Sequence, residues 1–309
     1  LAGKDAAKMK HLDKEKQMGM HIRQVIWTVI LCSCVALVCF DDSSAKDKKI
    51  TPEEVVSNHI KSIGSEEVLA GIKSRAFSGS TSVNFIQGAV GNLTGQCEFV
   101  SEKQKLGILL KYTALEYPQE HFAYDGKDVT IGYISPGIRS PLGDFLNRFS
   151  GIIEQGFLGG VLSLNWPLLD IEEARPKMKY EKSKIDGREL HELEYRPRKG
   201  MGDVKLKLYF DWDTFHHVRT EYKVAFRKQG AIESITGGMP RDSSDAEIYF
   251  QLIEEYGDFR DVDGLMLPHT YSLHFSREGG GSTFMARWVL NAAQWSHNGP
   301  IAPEYYHAQ

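Results

Sequence analysis

The residues most able to do chemistry in this chain are eleven histidines and one cysteine, Cys97, outside an N-terminal apolar run. Their spacing offers little. His216 and His217 are adjacent, so on a strand they point to opposite faces, and His269 and His274, five apart, also fall on opposite faces. No His or Cys pair beyond that run has the spacing of a zinc site, so no metal and no cofactor is expected. Cys97 lies beside Glu98-Phe99-Val100 in a strand-like run and reads as a small buried hydrophobe, not a nucleophile. A Gly-x-Ser-x-Gly elbow is absent, and Ser282 follows a glycine run, 279–281, that reads as a turn. The Gly-Gly pairs at 159–160 and 237–238 lack the Lys-Ser/Thr of a phosphate loop. The paired acids Glu172-Glu173 and Glu254-Glu255 read as solvated. No catalytic set emerges, and the chain reads as non-enzymatic.

Apolar-ligand chemistry is better supplied. Between residues 136 and 169 the period-2 pattern lapses, and Leu142, Phe145, Leu146, Phe149, Ile152, Ile153, Phe157 and Leu158 recur at helical steps. Gly151, Gly156, Gly159 and Gly160 divide the segment into short pieces, and Trp166 sits near its end. Phe145, Leu146, Phe149, Ile152, Ile153, Phe157 and Leu158 are the candidate ligand-binding residues, as the wall or lid of a cavity. Each buried acyl methylene contributes about 0.8 kcal/mol, so a twelve-carbon stretch contributes on the order of 9 kcal/mol gross. A helix laid across a sheet is equally what a permanently filled core looks like, and periodicity leaves both readings open.

The elements that would position this segment are mostly strands. Thr51, Pro52 and Glu54 form an N-cap, a first-turn proline and a capping box. Val55, Val56, His59, Ile60 and Ile63 then make one apolar stripe that ends at Gly64, with His59 expected to be half-buried packing. Ser65 caps a second short helix that runs to Ile72. Beyond Lys73 the alternation is strict, as in Val204, Leu206, Leu208 and Phe210, or Tyr271, Leu273 and Phe275. Asp125-Gly126, Asp186-Gly187 and Asp263-Gly264 separate such runs and signal hairpins. The runs predict a mainly β (α+β) protein, one meandering antiparallel sheet of about ten or eleven strands, and its helical interruption suggests an unclosed half-barrel with short helices as lid or plug.

The chain's formal charge is −4, without the basic stripe of a nucleic-acid binder. Near the N-terminus, His21-Ile22-Arg23-Gln24 precedes an uncharged run from Val25 to Phe40, followed by the small polar stretch Asp41–Ala45. These are the parts of a secretory signal, and the run falls short of the ~20 residues that span a bilayer. Residues 21–45 therefore read as a signal peptide, with an uncleaved anchor or lipid attachment at Cys34 as alternatives. Residues 1–20 read as an upstream or disordered prefix, and 46–309 as a single exported domain with a helical insert at about 136–169.

Three stretches resemble the LolA/LolB-like family of bacterial envelope proteins. They are Thr51-Pro-Glu-Glu-Val-Val to Gly64 with Ile72-Lys-Ser-Arg75; Ile185-Asp-Gly-Arg-Glu-Leu-His191 with Phe210-Asp-Trp-Asp-Thr214; and Tyr256 to Pro268 (YGDFRDVDGLMLP). The likeness spans about 51–290. It implies an unclosed barrel of about eleven strands around a hydrophobic cavity, lidded by helices, that carries lipid or the acyl chains of lipoproteins in the periplasm. Three alternatives follow: a sensor or accessory subunit with an envelope protein partner, a scaffold with a filled core, and a lipid-acting hydrolase. The chain is longer than the compact carriers, at 136–169 and near 198–203 and 228–245. No single arginine can be matched to the basic residue that helps close the carriers' lid.

Overall fold

Local signals at the N-terminal edge are met in the structure. Thr51 Oγ1 accepts from the Glu54 amide at 3.2 Å while Glu54 Oε2 accepts from the Thr51 amide at 3.0 Å. This closes the capping box of α1, Pro52–Ile63. Ser65 caps α2, Glu66–Gly71. The computed structural model describes residues 50–227 and 247–309, and Ile50–Gln309 forms one compact unit. The prefix, signal and anchor readings of residues 1–45, and the connection at 228–245, lie outside the described residues. No described helix is long and apolar enough to cross a membrane.

Twelve antiparallel strands follow: β1 Ser74–Gln87, β2 Gly91–Glu102, β3 Lys105–Ala114, β4 Tyr117–Tyr124, β5 Val129–Ile131, β6 Lys177–Ile185, β7 Arg188–Arg196, β8 Lys205–Asp211, β9 His217–Arg227, β10 Glu247–Val262, β11 Leu265–Gly279 and β12 Ser282–His297. That is one more than about eleven, because none of the runs merges with its neighbour. Asp186-Gly187 and Asp263-Gly264 both hold positive φ at both positions, the backbone of the tightest hairpin turn.

The sheet is not one continuous meander. Its order is β5-β4-β3-β2-β1-β12-β11-β10-β9-β8-β7-β6, two meanders joined where the first strand meets the last. Val83 pairs with Trp288 and Phe77 with Trp295 across that seam. The sheet stays open, with β5 and β6 as its edges. Hydrophobic alternation sets which face of each strand is buried, and the joining of distant strands follows from matching those faces.

The segment between β5 and β6 crosses the concave face as a plug. It contains α3 Pro141–Arg148, α4 Gly151–Glu154, a 3₁₀ turn Gly160–Leu162 and α5 Ile171–Ala174. Both wings of the sheet touch it. A Cβ on Gly159 would lie 2.8 Å from the Phe99 ring of β2, and one on Gly160 would lie 2.8 Å from His217 of β9. Both glycines also hold positive φ, so the plug runs closest to the sheet where no side chain intervenes.

Candidate functional site

The plug gathers the seven candidate residues into one place. Phe145, Leu146, Ile152, Ile153, Phe157 and Leu158 are fully buried in the main core, with Phe149 half-buried against it. The Phe145 ring lies 5.3 Å from Phe275 and 5.6 Å from Phe250, and Phe157 meets Tyr195 edge-on at 5.1 Å. They fill the concave face rather than line an open chamber there.

Polar fasteners tie the plug down, and sequence reasoning missed most of them. Glu254, expected in water, is completely buried. Its carboxyl accepts from the Gly159 amide at 2.7 Å and from the hydroxyls of Tyr222, at 2.6 Å, and Tyr271. Burial pushes it above the usual carboxylate range, while the donors pull the other way. The reason for the misreading is register: in an adjacent pair on a strand one carboxyl must face inward, and the inward one here is satisfied by the plug backbone and tyrosines that arrive from afar. Glu255 faces outward to Arg219 and His274.

Arg75 at the start of β1 is a second fastener. It is 3 % exposed, and its Nη1 donates to the carbonyls of Val161 at 2.7 Å and Leu162 at 3.4 Å. Among the described residues no carboxylate pairs with it, its Nε has no hydrogen-bond partner, and burial lowers its pKa to about 10.

His59 is the third, fully buried rather than half-buried packing. Its Nδ1 contacts the Phe215 carbonyl at 3.0 Å, and its Nε2 accepts from Trp166 Nε1 at 3.2 Å. That pattern requires the neutral ring with its proton on Nδ1. Burial lowers the His59 pKa to about 3 and drives His217, stacked on Trp166 at 4.8 Å, well below its usual value.

At the other end of the plug, Glu120 is buried beside Ser140, the N-cap of α3. Its Oε1 accepts from the Tyr117 hydroxyl, and burial pushes its pKa up to about 7.

A groove of about 670 Å³ opens along the late part of the plug, between it and the α1–α2 pair. Val56, Ile60, Ile63 and Leu69 form one wall; Val161, Leu164, Leu168 and Ile171 form the other; Arg75 also lines it. Glu53, Glu66, Asp170, Glu172 and Lys61 contribute its charged lining. The volume lies within the ~300–1,000 Å³ range of small-molecule sites. None of the seven candidate residues lines it. The signal that could have found it is the apolar stripe of α1, of which Val56, Ile60 and Ile63 border this groove.

Catalytic chemistry finds weaker support. Ser272 Oγ lies 3.3 Å from His274 Nε2, and Glu255 lies 3.1 Å from that same nitrogen. A relay needs the acid on one ring nitrogen and the nucleophile on the other, so this grouping lacks the geometry of one. Burial raises the Cys97 thiol to about 12, as befits a small hydrophobe. Among the described residues no three His, Cys, Asp or Glu side chains are placed to hold a metal ion.

These features define an open antiparallel sheet around a fastened helical plug, with an apolar groove at the plug's edge. No family model and no curated protein matches the chain. In fold it is similar to a LolA superfamily protein from Nitrosomonas europaea, at 10% identity and TM-score 0.40, covering 82% of this chain and 96% of the other. It is also similar to a DUF1329 family protein from Desulfovibrio piger, at 11% identity and TM-score 0.38, covering 82% and 96%. MucB of Pseudomonas aeruginosa, solved with MucA, matches at 12% identity and TM-score 0.22, covering 79% and 99%.

Proposed function

We propose that this protein is an exported, non-enzymatic binder of lipid or of lipoprotein acyl chains, and that the chain enters the groove between α1, α2 and the late plug. The observation that carries this reading is the groove itself: about 670 Å³, apolar on both walls, and bordered by backbone that Arg75 holds through the Val161 carbonyl. Releasing the plug here costs little only where water or a polar head group replaces the Val161 and Leu162 carbonyls on Arg75 and keeps the guanidinium satisfied. The early plug would stay seated while Val161–Ile171 moves outward to lengthen the groove along an acyl chain. Export is supported by the basic, apolar and small-residue order of residues 21–45.

A second reading is favoured by the filled concave face. With Phe145, Leu146, Ile152, Ile153, Phe157 and Leu158 fully packed and Phe149 half-buried, the molecule would act as a scaffold or sensor that binds a partner through its surface. Native mass spectrometry with lipid extraction, on protein from residue 46 onward purified from a bacterial periplasm, separates the two. Near-stoichiometric acyl species, lost in Ile60→Asp and retained in Phe149→Asp, support the groove. A lipid-free protein that takes up no added lipid overturns it in favour of the scaffold.

A further inference from the structure

The two ends of the sheet differ in chemistry. The register brings the β1–β2, β3–β4 and β11–β12 hairpin tips and the β7–β8 loop to one end, through the pairs Phe85–Ala286, Ile248–Gly279, Ile248–Phe226, Lys205–Lys223 and Leu206–Tyr195. The opposite end carries Asp125, Asp128, Asp186, Asp213 and Asp263 in its turns.

At the first end, large apolar side chains stand in water. Val90 is 100% exposed, Leu115 is 91% and Ile86 is 60%. Val90 and Ile86 cap a hairpin with no charged residue between Arg75 and Glu98. Leu115 caps the neighbouring hairpin, since β2 pairs with β3 through Gly95 and Tyr112. Farther along the same end, the β7–β8 loop exposes Arg196, Arg198, Lys199 and Lys205 around a single acid, Asp203. The loop has a defined shape: Met201 is buried in the core, Gly200 and Gly202 hold positive φ, and the Val204 amide donates to the Met201 carbonyl. Its cations are thereby held outward, and among the described residues only Arg196 has an acidic partner, Glu194.

We infer that this end of the sheet is a docking surface for a bilayer containing anionic lipid: Ile86, Val90 and Leu115 enter the acyl boundary while Arg198, Lys199 and Lys205 lie against the head groups. Exposed apolar groups without charge partition into that boundary, and each cation near an anionic surface adds attraction that falls off within a Debye length. A charged protein partner would leave the charge-free hairpin without complement. Asp203, Glu116 and Glu278 match Arg198, Lys199 and Lys205 in number once Arg196 is paired with Glu194, so the attraction rests on the clustering of these cations in one loop and not on an excess of charge. The surface is separate from the groove, so acyl binding and membrane docking can fail independently.

The test is co-sedimentation of the protein from residue 46 onward, which contains the whole compact unit Ile50–Gln309. The vesicles are phosphatidylcholine with and without a phosphatidylglycerol fraction. Binding to the anionic vesicles is expected, weakened by salt. Val90→Asp with Leu115→Asp should reduce it roughly tenfold or more, and Arg198→Glu or Lys199→Glu about fivefold each. All of these positions are exposed, and unchanged far-UV spectra and melting curves establish that the variants fold. Absence of vesicle binding overturns the inference, as does binding that the tip variants leave untouched. Self-association relieved by Val90→Asp, without vesicle binding, also overturns it and gives the tips to a second copy of the chain.

Discussion

The early plug, Pro141 to Leu158, and the late plug, Gly159 to Ile171, lie on one sheet yet are held there by different physics. The early part is seated by rings and aliphatic side chains, with Phe145, Ile152, Ile153 and Phe157 at 1% exposure or less. The late part packs Leu162, Trp166 and Leu168 as deeply and adds hydrogen bonds to buried polar groups: Glu254 on the Gly159 amide, Arg75 on the Val161 carbonyl, and His59 on the Trp166 indole. Apolar packing is lost in proportion to the area exposed, whereas a hydrogen bond in the interior exchanges for one to water at small net change. The late plug is the half that borders the groove, and the function proposed above requires that it lift.

The comparison breaks most visibly in the early plug. Phe157→Ala should lower unfolding free energy by about 3–5 kcal/mol, measured by urea denaturation. A loss below about 1 kcal/mol would mean that this half is the mobile one.

The pH response should differ between the halves as well. Glu120, beside the α3 N-cap, has its folded pKa raised to about 7 from 4.5. It therefore favours the fold fully below about pH 4.5, and that contribution disappears as pH rises through about 7. Glu120→Gln should remove this loss, worth about 3 kcal/mol at most, and flatten stability between about pH 5 and pH 8. A variant that keeps the wild-type slope would show that the slope has another source.

His59 runs in the opposite direction. Its folded pKa is lowered from 6.5 to about 3, so its contribution is present above pH 6.5 and drains away as pH falls toward about 3. His59→Gln should recover about 3 kcal/mol of this acid loss near pH 4, read from melting curves across pH. Glu254, raised by burial, adds an alkaline-side loss to the late plug too, so sensitivity to acid is what sets the late half apart.

The smallest effect belongs to Arg75→Met. Losing its hydrogen bonds is partly offset by removing an unpaired buried charge, so global stability should change by about 1–2 kcal/mol or less. Hydrogen exchange at Gly160, Leu162, Ser163 and Trp166 should nevertheless quicken. Exchange that quickens equally in β10 and β11 would point to global opening and erase the distinction between the halves.

Much of the architecture was legible because it rests on local rules. The capping box at Thr51, the Asp-Gly turns at 186 and 263 and the alternation of β8, β9 and β11 each depend on neighbours a few residues apart. The burial of Phe145, Leu146, Ile152, Ile153, Phe157 and Leu158 was also legible, since it follows from their composition and helical spacing. The site's polar parts were not. Glu254 looked like half of a solvated pair and His59 like packing on an amphipathic stripe, because the groups that satisfy them come from plug and strands far away in sequence.

The amino-acid order alone determined that this chain forms paired antiparallel strands interrupted by an apolar helical segment, because side-chain period and turn chemistry act over a few residues. Tertiary structure alone decided that the first strand closes against the last, that the plug fills the concave face, and that Arg75, Glu254 and His59 meet its backbone and indole beside the groove. Such contacts join residues up to about two hundred positions apart, and no local propensity specifies them. They are selected only when the whole set of buried faces and buried polar groups is satisfied at once.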